Sequence, residues 1–356
     1  MNRPLHGGNL NWAATIAGCP VSALIDFSAS INPLGTPQSA IAAIVNHTSK
    51  LTAYPDPNYP ELRSHLAHHH QIEPEFILPG NGSAELLTWA GRELAQQKFT
   101  YLITPAFGDY TRALNTFNAK TIFCPLDLII PQSPSPPVPQ SPSPHSGLLL
   151  NNPHNPTGKL WTKEEILPYL DKFALVVVDE AFMDFLTPSQ EQSLIPMVKD
   201  YPNLVILRSL TKFYSMPGLR IGYAIAHPER LQRWYKWRDP WSVNVLAAAA
   251  AIAALEDKQF QQQTWDWLKK ARSQLYSRLK AIPGLYPLES AANYLLVKTD
   301  TSATQLQEKL LTQYRIVIRD CISFPELGDR YFRVAVRLKE ENDRLVEAIS
   351  TILDLN

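Results

Sequence analysis

Lys212 has the setting in this chain that most plainly suits chemistry. An apolar run, Leu204 to Leu207, delivers the chain to Ser209; Thr211 and Lys212 follow, then a Met216-Pro217-Gly218 turn and Arg220 ahead of a second strand. A lysine at a strand-to-loop junction can hold an aldehyde as a Schiff base, and the hydroxyl and guanidinium flanking it suit a phosphate. A lone lysine would read as a solvated surface group. Here it stands between two apolar runs, with matching pieces elsewhere in the chain.

Those pieces sit at the ends of other apolar runs. Tyr101 to Thr104 leads to Phe107, Gly147 to Leu150 leads to Asn155, and Phe173 to Val178 leads to Asp179. Asp179, costly as an unpaired buried carboxylate, would keep a pyridinium nitrogen protonated and make its ring an electron sink. Asn155 can donate to a ring phenolate oxygen, and Phe107 can stack on the ring face. A further apolar approach runs into Gly80-Asn81-Gly82-Ser83 and a helix. That helix start, with Gly82, Ser83 and Ala84, presents backbone N–H groups and the positive end of the dipole to a phosphate. Ser83, Ser209 and Arg220 would hold it. Singly, each has a plainer reading: Asp179 as a helix cap, Asn155 as a turn former, Arg220 as a surface charge. Falling in order at successive strand ends of one sheet, they describe a site for pyridoxal 5'-phosphate (PLP).

Short continuous apolar runs alternating with helical stretches predict an α/β fold with a mostly parallel sheet covered on both faces. From Pro228 the chain turns helical, with an alanine-rich buried helix over Val243 to Leu255 and a long amphipathic one carrying Trp265, Leu268, Leu275 and Leu279. Runs at Tyr294 to Val297, Ile316 to Ile318 and Tyr331 to Val336 read as strands of a small α+β domain. The expected organisation is an N-terminal arm over 1–35, a large PLP-binding domain over 36–240, connecting helices over 241–280 and the small domain over 281–356. The Pro/Ser tract over 131–147 is either a PxxP ligand or a solvated spacer in polyproline conformation. His65, His68, His69 and His70 share one helix, but no cysteine or carboxylate cluster accompanies them, so they do not read as a metal site.

The 356 residues hold 33 Lys plus Arg against 33 Asp plus Glu, so no field draws the chain to nucleic acid or an anionic membrane. No segment reaches the ~18 uninterrupted apolar residues of a membrane span, and the start lacks a signal-peptide core. Three scattered cysteines fit free thiols, and the expected location is cytoplasmic.

Nearly the whole chain resembles the fold-type I PLP-dependent enzymes of the aspartate aminotransferase superfamily, through GNGS, NPHNPTG, VVDEAF and SLTKFYSMPGLRIGY. Within these it is most similar to the threonine-phosphate decarboxylases of cobalamin biosynthesis, through HGGN at 6–9, DFSASINPLG at 26–35, PWSVN at 240–244, ANYLL at 292–296 and YFRVAVR at 331–337. The resemblance implies Lys212 as the Schiff-base lysine, and a homodimer in which Tyr54 reaches the cofactor phosphate of the partner subunit. It implies that His6, Gly7, Ser30, Asn155, Arg319 and Arg333 contact a phosphorylated amino acid, with Arg333 on its carboxylate. Phe182 stands where aminotransferases carry a tyrosine and where the decarboxylases also have phenylalanine. Ser30 replaces an asparagine, and the Pro/Ser tract replaces a helix.

The reaction so implied is decarboxylation of L-threonine O-3-phosphate to (R)-1-amino-2-propanol O-2-phosphate. The alternative is histidinol-phosphate aminotransfer with 2-oxoglutarate. A PLP-fold protein used only for binding is the remaining reading, against which the chain shows no spare DNA-binding segment. The two chemistries differ in which bond at Cα stands perpendicular to the cofactor ring, and the arginines that orient the substrate choose between them.

Overall fold

A computed structural model describes residues 4, 7–126, 137, 142 and 144–354. Its first strand is β1 (Ile25–Asp26). The next seven are β2 (Ile77–Asn81), β3 (Phe99–Thr104), β4 (Thr121–Pro125), β5 (Ser146–Asn151), β6 (Leu175–Asp179), β7 (Leu204–Ser209) and β8 (Ile221–Ala226). They form one sheet in the order β2-β8-β7-β6-β5-β3-β4. All its pairings are parallel except those of β8, which runs antiparallel to both β2 and β7.

The unalternating Val/Ile/Leu runs are explained by burial on both faces. On one face Leu149, Val177, Val205 and Leu207 pack with Leu86, Leu87 and Leu94 of the helix Gly82–Leu94 and with Trp234. On the other, Leu148, Leu150, Val176, Val178 and Ile206 belong to a larger core with the alanine-rich helix. That helix runs Val245–Glu256, two residues later than its apolar composition begins. The Asn244 carboxamide accepts from Ala247 N at 2.8 Å, so the cap sets the start and leaves Val243 outside.

The Pro/Ser tract falls largely outside the described residues. Its end corrects the spacer reading at Ser146, the first residue of the buried β5; Gly147, expected to open the apolar run to Leu150, lies in the strand. A Cβ on Gly147 would lie 2.5 Å from Leu94 Cδ2, so the strand enters the sheet where only a glycine lets the helix approach.

A smaller antiparallel sheet follows: β9 (Leu285–Pro287), β10 (Tyr294–Thr299), β12 (Arg319–Asp320) and β13 (Tyr331–Ala335), in the order β12-β13-β10-β9; between them in sequence, β11 (Ile316–Val317) pairs in parallel with β1. The single strand expected over Ile316 to Ile318 is therefore two. The break at Ile318 passes the chain from the pairing with β1 to the small sheet, and sets Arg319 directly opposite Arg333.

Candidate active site

β7 ends at Ser209, whose side chain caps the short helix Leu210–Phe213 and so fixes Lys212 on its first turn. Lys212 Nζ donates to Ser209 Oγ at 3.2 Å. The amine lies in a cavity of about 380 Å³ with Phe107, Asn155, Asp179, Phe182, Arg220, Arg319 and Arg333 among its walls. Burial lowers the proton affinity of Lys212; the Asp179 carboxylate opposes that shift, and Arg220 and Arg333 add to it. A lysine so placed keeps more of the neutral amine that attacks a carbonyl.

Asp179 closes β6, next to β7. Its Oδ1 accepts from Ala181 N at 3.0 Å, and its Oδ2 accepts from the Tyr110 hydroxyl at 2.8 Å. Burial pushes this carboxyl up, while Lys212, Tyr110 and the Ala181 N–H pull it back.

The phosphate-type end is built at the start of the helix Gly82–Leu94. Asn81 provides no side-chain cap there, and Ser83 and Ala84 line the cavity. Gly82 does not line it but makes it possible. Its φ of +74° favours glycine, and a Cβ there would lie 2.5 Å from Arg220 Nη2. Gly222, on β8, has a similar role: a Cβ there would meet Ser83 N at 2.5 Å.

At the other end stand the two arginines, 6% and 8% exposed. Arg333 Nη1 donates to Asn155 Oδ1 at 2.6 Å and Nη2 to Ser28 O at 3.1 Å. Asn155 Oδ1 is thereby committed, and its Nδ2 is the donor left for the cavity. Arg319 donates to Pro4 O at 3.0 Å and to Ser323 Oγ at 2.5 Å, with Asp320 at 3.8 Å. Two like charges directly opposite across a strand pair repel, and an anion between them removes that cost.

The cavity brings together Gly7, Ser30, Ser83, Ala84, Phe107, Asn155, Asp179, Phe182, Ser209, Lys212, Arg220, Arg319 and Arg333. It does not include Tyr54, which is 79% exposed and packs 4.6 Å from the Trp241 ring. His6 lies outside the described residues. The sequence reading missed Tyr110 and Ser323. For Tyr110 the signal was present, an aromatic residue three after Phe107 at the start of a helix. Ser323 lies in a loop with no periodic signal to mark it.

These residues fit PLP, which carries an aldehyde, a basic ring nitrogen and a phosphate. The amine, the carboxylate and the uncapped helix start beside Arg220 match those groups in turn. Further polar atoms await partners in or beside the cavity: Ser30 Oγ and Arg333 Nε are buried and lack hydrogen bonds among the described residues.

Comparison with known proteins agrees. The family model for aminotransferase class I and II matches residues 22–349. The chain is 38% identical to the threonine-phosphate decarboxylase of Salmonella typhimurium, over 98% of this chain and 96% of that protein. The crystal structure of L-threonine-O-3-phosphate decarboxylase from Porphyromonas gingivalis superposes with a TM-score of 0.82 at 25% identity, covering 92% of this chain and 99% of that one. That of histidinol-phosphate aminotransferase from Clostridium acetobutylicum superposes at 0.84 with 28% identity, covering 94% and 100%.

Proposed function

The chain belongs to the class I and II aminotransferase family, and we propose that within it this protein is a PLP-dependent decarboxylase of L-threonine O-3-phosphate, forming (R)-1-amino-2-propanol O-2-phosphate and CO2. The observation that carries the reading is the register of Arg319 against Arg333 at the wall of the Lys212 cavity. Two apposed guanidiniums suit a substrate with both a carboxylate and a phosphate. The strong similarity to the Salmonella enzyme along the whole chain supports the same substrate.

Lys212 is the amine that anchors the cofactor, Asp179 pairs with its ring nitrogen, and Ser83, Ala84, Ser209 and Arg220 hold its phosphate. Phe107 and Phe182 supply apolar walls, and Asn155 Nδ2 is the donor for the ring oxygen. When bound, PLP supplies an aldehyde that takes up the substrate amine and a ring that accepts the electron pair left on Cα.

The residues of the chain choose the bond and manage the proton. Arg333, held by Asn155 and Ser28 O, cannot swing freely, so a carboxylate bound to it would be held in one direction within the cavity. Phe182 packs edge-on to Tyr294 at 5.0 Å and offers no hydroxyl. Loss of CO2 consumes one proton at Cα. Lys212 Nζ is the cavity's lysine and the group that delivers it.

The reading includes a homodimer with Tyr54 reaching the partner subunit's phosphate site. It is supported by the exposed apolar Ile41, Val45, Leu51, Tyr54 and Trp241. It also includes a cytoplasmic place in making the aminopropanol arm of cobalamin. Cys19, Cys124 and Cys321 are free thiols, and no helix among the described residues is long and apolar enough to cross a membrane.

The test is to mix PLP-loaded protein with L-threonine O-3-phosphate and, separately, with histidinol phosphate plus 2-oxoglutarate, and to identify products by mass. An amine 44 mass units lighter, formed with no keto acid present, is the expected result. Glutamate formation without CO2 would install the aminotransferase instead.

A further inference from the structure

Asp179 is held from two elements at once. The N–H of Ala181, just past the end of β6, takes Oδ1 at 3.0 Å, and the Tyr110 hydroxyl takes Oδ2 at 2.8 Å. Tyr110 comes from the first turn of the helix Gly108–Thr116, which follows β3, and is 2% exposed. With a donor on each oxygen, the carboxylate cannot rotate without breaking both bonds. The ring of Tyr110 packs edge-on to Phe107 at 5.6 Å and sits in the core with Leu149 and Val177. Packing accounts for the ring, and a phenylalanine would fill the same volume. It does not account for the hydroxyl, whose partner is a carboxylate on the cavity wall.

We propose that Tyr110 is a positioning residue for the reaction: through Oδ2 it fixes the Asp179 carboxylate in the orientation that pairs with a protonated ring nitrogen, so the chain selects a cofactor that has this nitrogen. The inference rests on the PLP reading above. A carboxylate that accepts two hydrogen bonds stays a carboxylate in a buried site, because each bond favours its charged form. In agreement, the Tyr110 bond opposes the upward push of burial on Asp179, and the Tyr110 phenol itself is driven well above its usual range by burial and by this carboxylate. A phenol so placed does not ionise and remains a donor. Without it, Asp179 becomes more basic and freer to turn, and the proton shared with the ring nitrogen shifts towards the carboxylate.

Tyr110→Phe isolates the hydroxyl. The readout is the ratio of dissociation constants of the apo-protein for PLP and for its 1-deaza analogue, in which C–H replaces the ring nitrogen, each followed by absorbance of the bound form. Wild-type protein should bind PLP more tightly than the analogue. In Tyr110→Phe that preference should fall about tenfold, with affinity for the analogue unchanged, as expected for loss of one charge-assisted hydrogen bond. A preference that stays as in the wild type overturns the proposal, whether both affinities hold or fall together. The latter pattern marks a merely structural tyrosine. Wild-type protein that does not bind PLP, or does not prefer it, sinks the cofactor pairing with Asp179 and this inference with it; a preference present in the wild type and kept in the variant sinks this inference alone.

Discussion

Adjacent residues at the ends of β6 and β7 serve opposite purposes. Ser209 and Asp179 line the Lys212 cavity, while Arg208, the preceding residue of β7, and Glu180, just past the end of β6, do not line it and are buried. Arg208 donates to Glu180 at 2.9 Å, to Asp184 at 2.6 Å and to Glu191. Glu180 further accepts from Ser193 Oγ at 2.6 Å and from Leu194 N at 3.0 Å. This network is closed within the chain. The cavity face is open: Ser30 Oγ and Arg333 Nε are buried without partners among the described residues, and Arg319 and Arg333 oppose each other. A buried polar group that is fully paired stabilises the fold, and one left unpaired costs stability until a ligand completes it. The difference separates structural from functional charge over one residue step.

The widest separation is expected from Lys212→Ala. Turnover should fall on the order of 10³-fold or more, because the proposed covalent anchor and proton donor are lost together. Melting of the apo-protein should not drop, since a desolvated amine has been removed. A variant that melts much lower would place Lys212 in the structural class instead.

On the far face the pattern should reverse. Arg208→Met strands Glu180, Asp184 and Glu191, and should cost about 3–5 kcal/mol in urea unfolding, as breaking a buried ion network does. Turnover per folded molecule should stay near wild type. Strong loss of kcat at full folding would mean that the two faces are one machine.

Acid tests a third buried group. His154 accepts or donates with Thr157 Oγ1 at 2.8 Å, and burial, with Lys159 adding, pushes its pKa from 6.5 down to about 3. The unfolded chain therefore binds the proton more readily, so the stability from neutral His154 is complete above pH 6.5 and erodes as pH falls towards 3. By pH 4.5, two units below 6.5, the loss is about 3 kcal/mol at ~1.4 kcal/mol per unit. His154→Gln should flatten that part of the pH–stability curve. An unchanged slope would show that His154 does not stay neutral in the fold.

The smallest effect should come from Ser30→Ala. An orphaned buried hydroxyl costs the unliganded fold stability, so the unfolding midpoint should not drop and should rise slightly, while KM for L-threonine O-3-phosphate should rise about tenfold with kcat kept. A stable variant with an unaltered KM would remove Ser30 from the substrate end.

Much of this site was legible before any coordinates, for a physical reason. Parallel strands buried on both faces leave unbroken apolar runs, and chemistry in such sheets gathers at their C-terminal ends. Phe107, Asn155, Asp179, Ser209 and Lys212 each follow such a run, so order along the chain approximated order along the sheet edge. Gly82 was legible as part of a Gly-Asn-Gly turn, though its use, to admit Arg220, was not. Ser146 was hidden by the prolines before it, because composition averages over a boundary that a single strand residue decides.

By itself the sequence determined the strand pattern, the cavity's main residues and the family, since local periodicity and short motifs are properties of neighbouring residues. Only the tertiary structure decided which carboxylate meets which donor. Tyr110 reaches Asp179 across 69 residues of chain, and Asn155 meets Arg333 across 178. The break at Ile318 that turns Arg319 onto Arg333 depends on two strands, β1 and β13, that lie on either side of it in space and far from each other in sequence. Such pairings are set by sheet register and by packing over distance, and no local pattern encodes them.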